Sequence, residues 1–290
     1  MHSEERMDAL SEKIRQVGGL FLRAALDYER KVSGPFCSDI RMLRASMLHR
    51  LSAIQWHIQL MHDYEIQATQ AIRTREGFDS AGELEMTHTG RMRYLFDDVV
   101  FNLMSLFDYA AGFTGYAFYG DEIRDSAEYN PLDQDENRTD HLGRQKARID
   151  WGDIRNAHFR RKLYFDTNRL KGSEVGKAID EWEDRLLSPL RAYRNDIIHH
   201  SADRTSGGYS LRLLDISQSE IFVHPPPQFK DRFDIDSDDA ENLFSSVLWL
   251  FEESLSGLEV LAEKLRIDIE ERRRVEKGEE HIQFSSDADT

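Results

Sequence analysis

Apolar residues return every three to four positions over residues 7–31 and again over 39–73, the spacing of helices that bury one face. Gly34-Pro35 separates the two runs, and Ser38 or Asp39 is placed to cap the second. Residues 74–90 (TREGFDSAGELEMTHTG) are polar and interrupted by glycine, and read as a loop. A third helix is expected over 91–118, apolar on most sides. Its stretch 99–119 is long enough to span a bilayer, but Asn102, Ser105 and Asp108 near its middle make it a buried core helix instead. Residues 120–150, rich in Asp, Asn, Glu and Arg around Asn130-Pro131, read as a long solvated insertion. The helical pattern resumes over 175–201, where Ser188-Pro189 either kinks the helix or restarts it with Ser188 as cap and Pro189 as first residue. Residues 209–216 and 220–224 suggest a short β-hairpin, closed by Pro225-Pro226-Pro227. A last helix is expected from about Asp236-Ser237-Asp238-Asp239, where acids suit the positive end of the helix dipole, to about residue 273.

The fold class implied is all-α: a helical bundle with a small β-hairpin insertion and no strand–helix alternation of the Rossmann kind. The expected domain layout is an N-terminal helical extension (1–90), a bundle (91–273) carrying the 120–150 insertion and the 209–224 hairpin, and a polar tail (274–290).

Composition narrows the chemistry. The single cysteine, Cys37, excludes an intramolecular disulfide framework and any multi-cysteine metal site, and favours a reducing, cytoplasmic setting. The N-terminal residues mix acids and bases before a short apolar patch, so no secretory signal or membrane anchor is expected. With 38 Lys and Arg against 54 Asp and Glu, the net charge of -16 repels nucleic acid and anionic membrane alike. One segment runs the other way. Arg144, Lys146, Arg148, Arg155, Arg160, Arg161, Lys162 and Arg169 form a basic patch able to contact phosphates.

Residues 188–200 read SPLRAYRNDIIHH. At about 100° per residue, Asn195 and His199 share a face, while Leu190, Tyr193, Ile197 and Ile198 define an apolar arc that contains Arg194. A guanidinium cannot shed its charge, so Arg194 needs a carboxylate, backbone carbonyls or a bound phosphate, unless it reaches water along the seam. On the apolar helix, Asp98, Asn102, Ser105 and Asp108 lie within an arc of about 120°. That polar stripe could meet Arg194 and Asn195 on a neighbouring helix, with Asp98 or Asp108 as the anion; it could equally face water, or bond back to its own helix.

Arg194-Asn195-Asp196-Ile197-Ile198-His199 resembles the R-N-x-x-x-H signature of the HEPN superfamily, late in a helix of an all-α bundle. The resemblance covers about residues 91–273 and leaves the first 90 unmatched. It implies a homodimer whose motifs face one another across a cleft, acting in many members as a metal-independent endoribonuclease. In that chemistry the ribose 2′-hydroxyl is the nucleophile, His199 serves as general acid or base, Arg194 stabilises the phosphorane charge and Asn195 orients phosphate or imidazole. No cofactor is implied, RNA is the substrate, and an antitoxin or effector protein would be a partner in a toxin or antiphage-defence role. Other family members serve as non-catalytic dimerisation modules, which is the competing expectation. Elsewhere, His57 and His62 lie about 140° apart on their helix and cannot chelate one metal as an i, i+4 pair could. They read as boundary residues.

Overall fold

Three-and-four spacing closes into helices at nearly every expected place. The computed structural model describes residues 3–31, 36–74, 81–125, 172–199, 211–213, 221–225, 232–233 and 242–276. Helix α1 is Ser3–Lys31, α2 is Phe36–Thr74 and α3 is Ala81–Asp125. Helix α4, Glu174–Trp182, passes through a π-helical turn, Glu183–Leu187, into α5, Ser188–His199. Helix α6 is Leu243–Glu276. Two short strands, Leu211–Leu213 and Ile221–Val223, pair antiparallel with Arg212 opposite Phe222. The connection that would make them a hairpin, 214–220, lies outside the described residues, as do the basic segment 144–169 and most of the expected insertion.

The expected loop over 74–90 is shorter than its composition suggested, since α3 already begins at Ala81. Ala81, Glu83, Leu84, Glu85 and Met86 are strong helix formers, and Glu83 lies in the first turn, where the helix dipole favours an acid. Gly82 and Gly90 each cost about 1 kcal/mol relative to alanine, which a helix of 45 residues absorbs. The described start of α6 is likewise set by Asn242, whose Oδ1 accepts the Ser245 backbone N–H at 2.7 Å.

Ser188 does not start a new helix as its N-cap. Its backbone is helical (φ -65°, ψ -48°) and its N–H donates to the carbonyl of Glu183, five residues back. Pro189 would drive its ring into the carbonyl of Arg185 in a regular helix. The wider π turn just before it moves that carbonyl aside, so the helix neither stops nor restarts.

The chain divides into two compact units. The first comprises Met1–Ile14, Leu48–Leu106 and Asp180–Gly257. Its core holds Leu51, Ile54, Ile58 and Met61 of α2, Phe96, Val99, Val100 and Leu103 of α3, Leu187, Leu190 and Tyr193 near α5, and Val247, Leu250 and Phe251 of α6. Each such side chain contributes about 1.5–3 kcal/mol by leaving water. Around this core Arg6 grips Glu252 through two nitrogens (3.1 and 2.7 Å), and Gln55 donates to Ser11 at 2.6 Å. The second unit comprises Arg15–Met47, Phe107–Ile179 and Leu258–Thr290. There Phe21 meets Phe113 edge-on at 5.1 Å, and the small residues Ala110, Ala111 and Ala117 let α3 sit deep in the core. Residue 90, the expected boundary between extension and bundle, falls inside α3, and each unit draws on both sides of it.

Residues 99–118 of α3 are largely buried, and no described helix is long and apolar enough to cross a membrane.

Candidate functional site

Helix α5 places Tyr193 and Arg194 against α3 in the first unit. Leu190 and Tyr193 are buried, and Tyr193 meets Phe96 edge-on at 5.6 Å, which fixes the rotation of α5. Arg194 follows on the margin of that face, half-buried, with its guanidinium 5.8 Å from the centre of the Phe101 ring. Its Nε is buried without a hydrogen-bond partner among the described residues. Asn195 is exposed, and His199 closes the helix; its side chain lies outside the described residues.

The stripe on α3 does not supply the expected anion. Asp98 is 59 % exposed and lies 3.7 Å from His57 Nε2 on α2, not against Arg194. Asn102 accepts from Arg50 Nη1 at 2.9 Å and donates to the Asp98 carbonyl at 2.8 Å. Ser105 donates back to the Phe101 carbonyl at 3.0 Å. Asp108 is exposed and belongs to the second unit. The stripe therefore lies on the one side of α3 that meets water, its short polar side chains satisfied locally and by α2. Arg194 meets an aromatic ring at that stripe's edge instead of a carboxylate, a cation–π contact worth about 0.5–1 kcal/mol at an exposed site.

Two aromatic residues share this outward line and were not singled out by composition or motif. On the same wheel Tyr94 and Phe101 fall about 40° and 60° to one side of Asp98, inside the polar arc. Tyr94 is 74 % exposed and Phe101 36 %. Trp56 on α2 is 59 % exposed, its ring 5.1 Å from that of its neighbour His57. The flanks are thus His57 and Arg50 on α2, and Arg194 on α5.

A second polar group lies deeper. Glu65 follows Met61 by four and precedes Ala68 by three, so it occupies a core position of the α2 stripe; His88 does the same four residues before Met92. The α2–α3 contacts at Arg50–Asn102, His57–Asp98 and Tyr64–Arg91 place the two residues at one level. Glu65 Oε1, His88 Nε2 and Thr89 Oγ1 are all buried without hydrogen-bond partners among the described residues. Burial pushes the Glu65 carboxyl up to about 8 and the His88 imidazole down to about 4, Arg91 adding to the latter. Burial also raises Asp97 to about 6, against the pull of Arg93 and with some help from Asp98. Continuing each apolar stripe through its polar members would have found Glu65 and His88.

His62 packs against the Phe244 ring at 5.5 Å, and His57 borders α3, as boundary residues should. Among the described residues no group of three or more His, Cys, Asp and Glu is arranged to hold a metal ion. Chemically, the surface offers a guanidinium lacking a carboxylate among the described residues, an exposed amide and partly exposed aromatic rings. These are groups that bind an anion beside a planar ring.

No protein-family model, curated protein or solved structure matches the chain.

Proposed function

We propose that the chain is a metal-independent endoribonuclease of HEPN type, with Arg194 as phosphate and transition-state cation, Asn195 as orienting group and His199 as general acid or base. The observation that supports this reading is Arg194 itself, half-buried with neither a carboxylate partner nor an acceptor for its Nε among the described residues. A charge so placed gains from a phosphate arriving beside it. Attack by the 2′-hydroxyl on that phosphate would leave a 2′,3′-cyclic phosphate and a free 5′-hydroxyl, His199 taking or returning the proton. In this reading the active form is a homodimer in the cytoplasm, the paired strands after α5 are a hairpin insertion in the bundle, and 144–169 provides further phosphate contacts. A toxin or antiphage-defence role with an antitoxin or effector partner fits such an activity.

The competing reading is a non-catalytic helical dimerisation module. The self-satisfied stripe favours it: with Asn102 and Ser105 bonded within the protein, α3 contributes no polar network around Arg194. Cleavage of RNA in EDTA separates the two, using wild type beside Arg194→Ala and His199→Ala. Wild type should cut and leave cyclic phosphate ends, with both variants reduced at least about 100-fold. Activity that survives both substitutions, or that EDTA abolishes, refutes the mechanism.

A further inference from the structure

We propose that Glu183 and Arg191 are positioning residues for Arg194, their ion pair fixing the rotation at which α5 presents that guanidinium to α3. What Arg194 then does rests on the ribonuclease reading; the rotation itself does not. The pair lies across the π turn. Glu183 is the first residue of that turn, its carbonyl accepts the Ser188 N–H, and its buried carboxylate accepts from Arg191 Nη1 at 3.0 Å, eight residues on. Over eight residues a regular α-helix turns by about 800°, which leaves the two ends about 80° apart. The extra residue held in a π turn sets the rotation back by about 100°, so Glu183 and Arg191 fall within about 20° of one line. The contact is made because the π turn is there, and it holds the turn in return. Parting the pair would take this cation from a carboxylate side chain only 5 % exposed, which a buried charge resists.

Upstream of the turn the chain is seated on α6: the Trp182 indole lies over Gly257, and Arg185 meets Glu253 at 2.7 Å. Downstream, α5 meets α3 through Tyr193 on Phe96 and Arg194 beside Phe101. With the upstream part held, the rotation added at the π turn decides which side of α5 reaches α3. A regular helix through the same residues would carry Tyr193 and Arg194 about 100° further round the axis, away from both rings. Arg191 stands three residues before Arg194, within one turn, so a rotation fixed at the first is fixed at the second. Pro189 disfavours a regular turn here but would also suit a helix that broke and restarted. The ion pair spanning the turn favours the π geometry over that break.

The test is a distance measurement by double electron–electron resonance on the full chain, with spin labels at Gln59→Cys on α2 and Ala192→Cys on α5, both exposed, after Cys37→Ser removes the native thiol. Arg191→Gln should shift or broaden the distance by several ångströms, up to the roughly 8 Å that a 100° rotation gives at the helix surface, while Arg191→Lys keeps it. Glu183→Gln combined with Arg191→Gln leaves no orphaned charge and should shift it likewise, which covers the case in which the single variant fails to fold. An unchanged distance in the folded variants overturns the proposal, and a lowered urea midpoint at that unchanged distance assigns the pair to stability alone. Cleavage of RNA is scored separately on unlabelled protein. Arg191→Gln should lower kcat about 100-fold with KM little changed, and should add nothing in an Arg194→Ala background. A shifted distance with undiminished cleavage also overturns the positioning role. A shifted distance in a protein whose wild type does not cut sinks the ribonuclease reading and keeps the role of the pair in orienting α5, whereas cleavage by wild type with a fixed distance does the reverse.

Discussion

Glu65 should make the folded protein lose stability as the solution becomes more alkaline, and a single substitution should remove that loss. The carboxyl is raised from 4.5 to about 8 by burial, so at pH 6.5 it is protonated in the folded state and ionised in the unfolded one. Folding therefore takes up a proton, and the stability conferred by the neutral form fades as pH rises towards 8. Two neighbours act elsewhere. His88, lowered from 6.5 to about 4, contributes stability that is present above 6.5 and is lost as pH falls towards 4. Asp97, raised from 3.8 to about 6, loses its contribution between those values as pH rises. Of these three groups, Glu65 governs the range above 6.5. Integrating proton uptake from pH 6.5 to 8.0 gives about 1.6 kcal/mol of lost stability as an upper figure, and screening of the half-buried side chain reduces it to about 1. With a urea dependence of about 3 kcal/mol per molar for a chain of this size, the midpoint should fall by about 0.3 M. The assay is urea unfolding followed by far-ultraviolet circular dichroism at pH 6.5 and 8.0. Wild type should lose that 0.3 M beyond Glu65→Gln, and Glu65→Leu, which fills the core position with an apolar side chain, should be the more stable protein at pH 8.0. Equal losses in wild type and Glu65→Gln would refute the reasoning, since the carboxyl would then have to be solvated.

Two packing predictions follow from the first unit. A Cβ on Gly257 of α6 would collide with the indole of Trp182, so Gly257→Ala should cost about 1–3 kcal/mol and shift tryptophan emission to the red, read by thermal melting and fluorescence. Asn242→Ala removes the acceptor for the Ser245 N–H at the start of α6 and should cost about 1 kcal/mol in urea unfolding, with Asn242→Asp close to wild type.

Periodicity located the helices because burial of one face leaves the same three-and-four spacing whatever the surroundings, and α1, α2 and α6 follow it closely. It failed at 81–90 because helix propensity there acts without a strong apolar stripe, and at Ser188-Pro189 because a π turn has no signature in composition. The site posed a different difficulty. A wheel shows that Asp98, Asn102, Ser105 and Asp108 differ from the rest of α3, but not whether that side meets another helix or water. That depends on how many helices surround α3, which contacts distant in sequence decide. Here α2 and α5 border α3 and leave the stripe open between them, so the polar residues solvate the helix and need no partner on α5. The same exposure explains why Tyr94 and Phe101 went unmarked: amid Leu, Val and Met they read as core, and only the wheel angle they share with Asp98 sets them apart. Arg194, which the apolar arc of α5 contains, is half-buried beside the Phe101 ring. Among the described residues the stripe offers it a ring and no acid, because Asp98 is turned to His57 on α2.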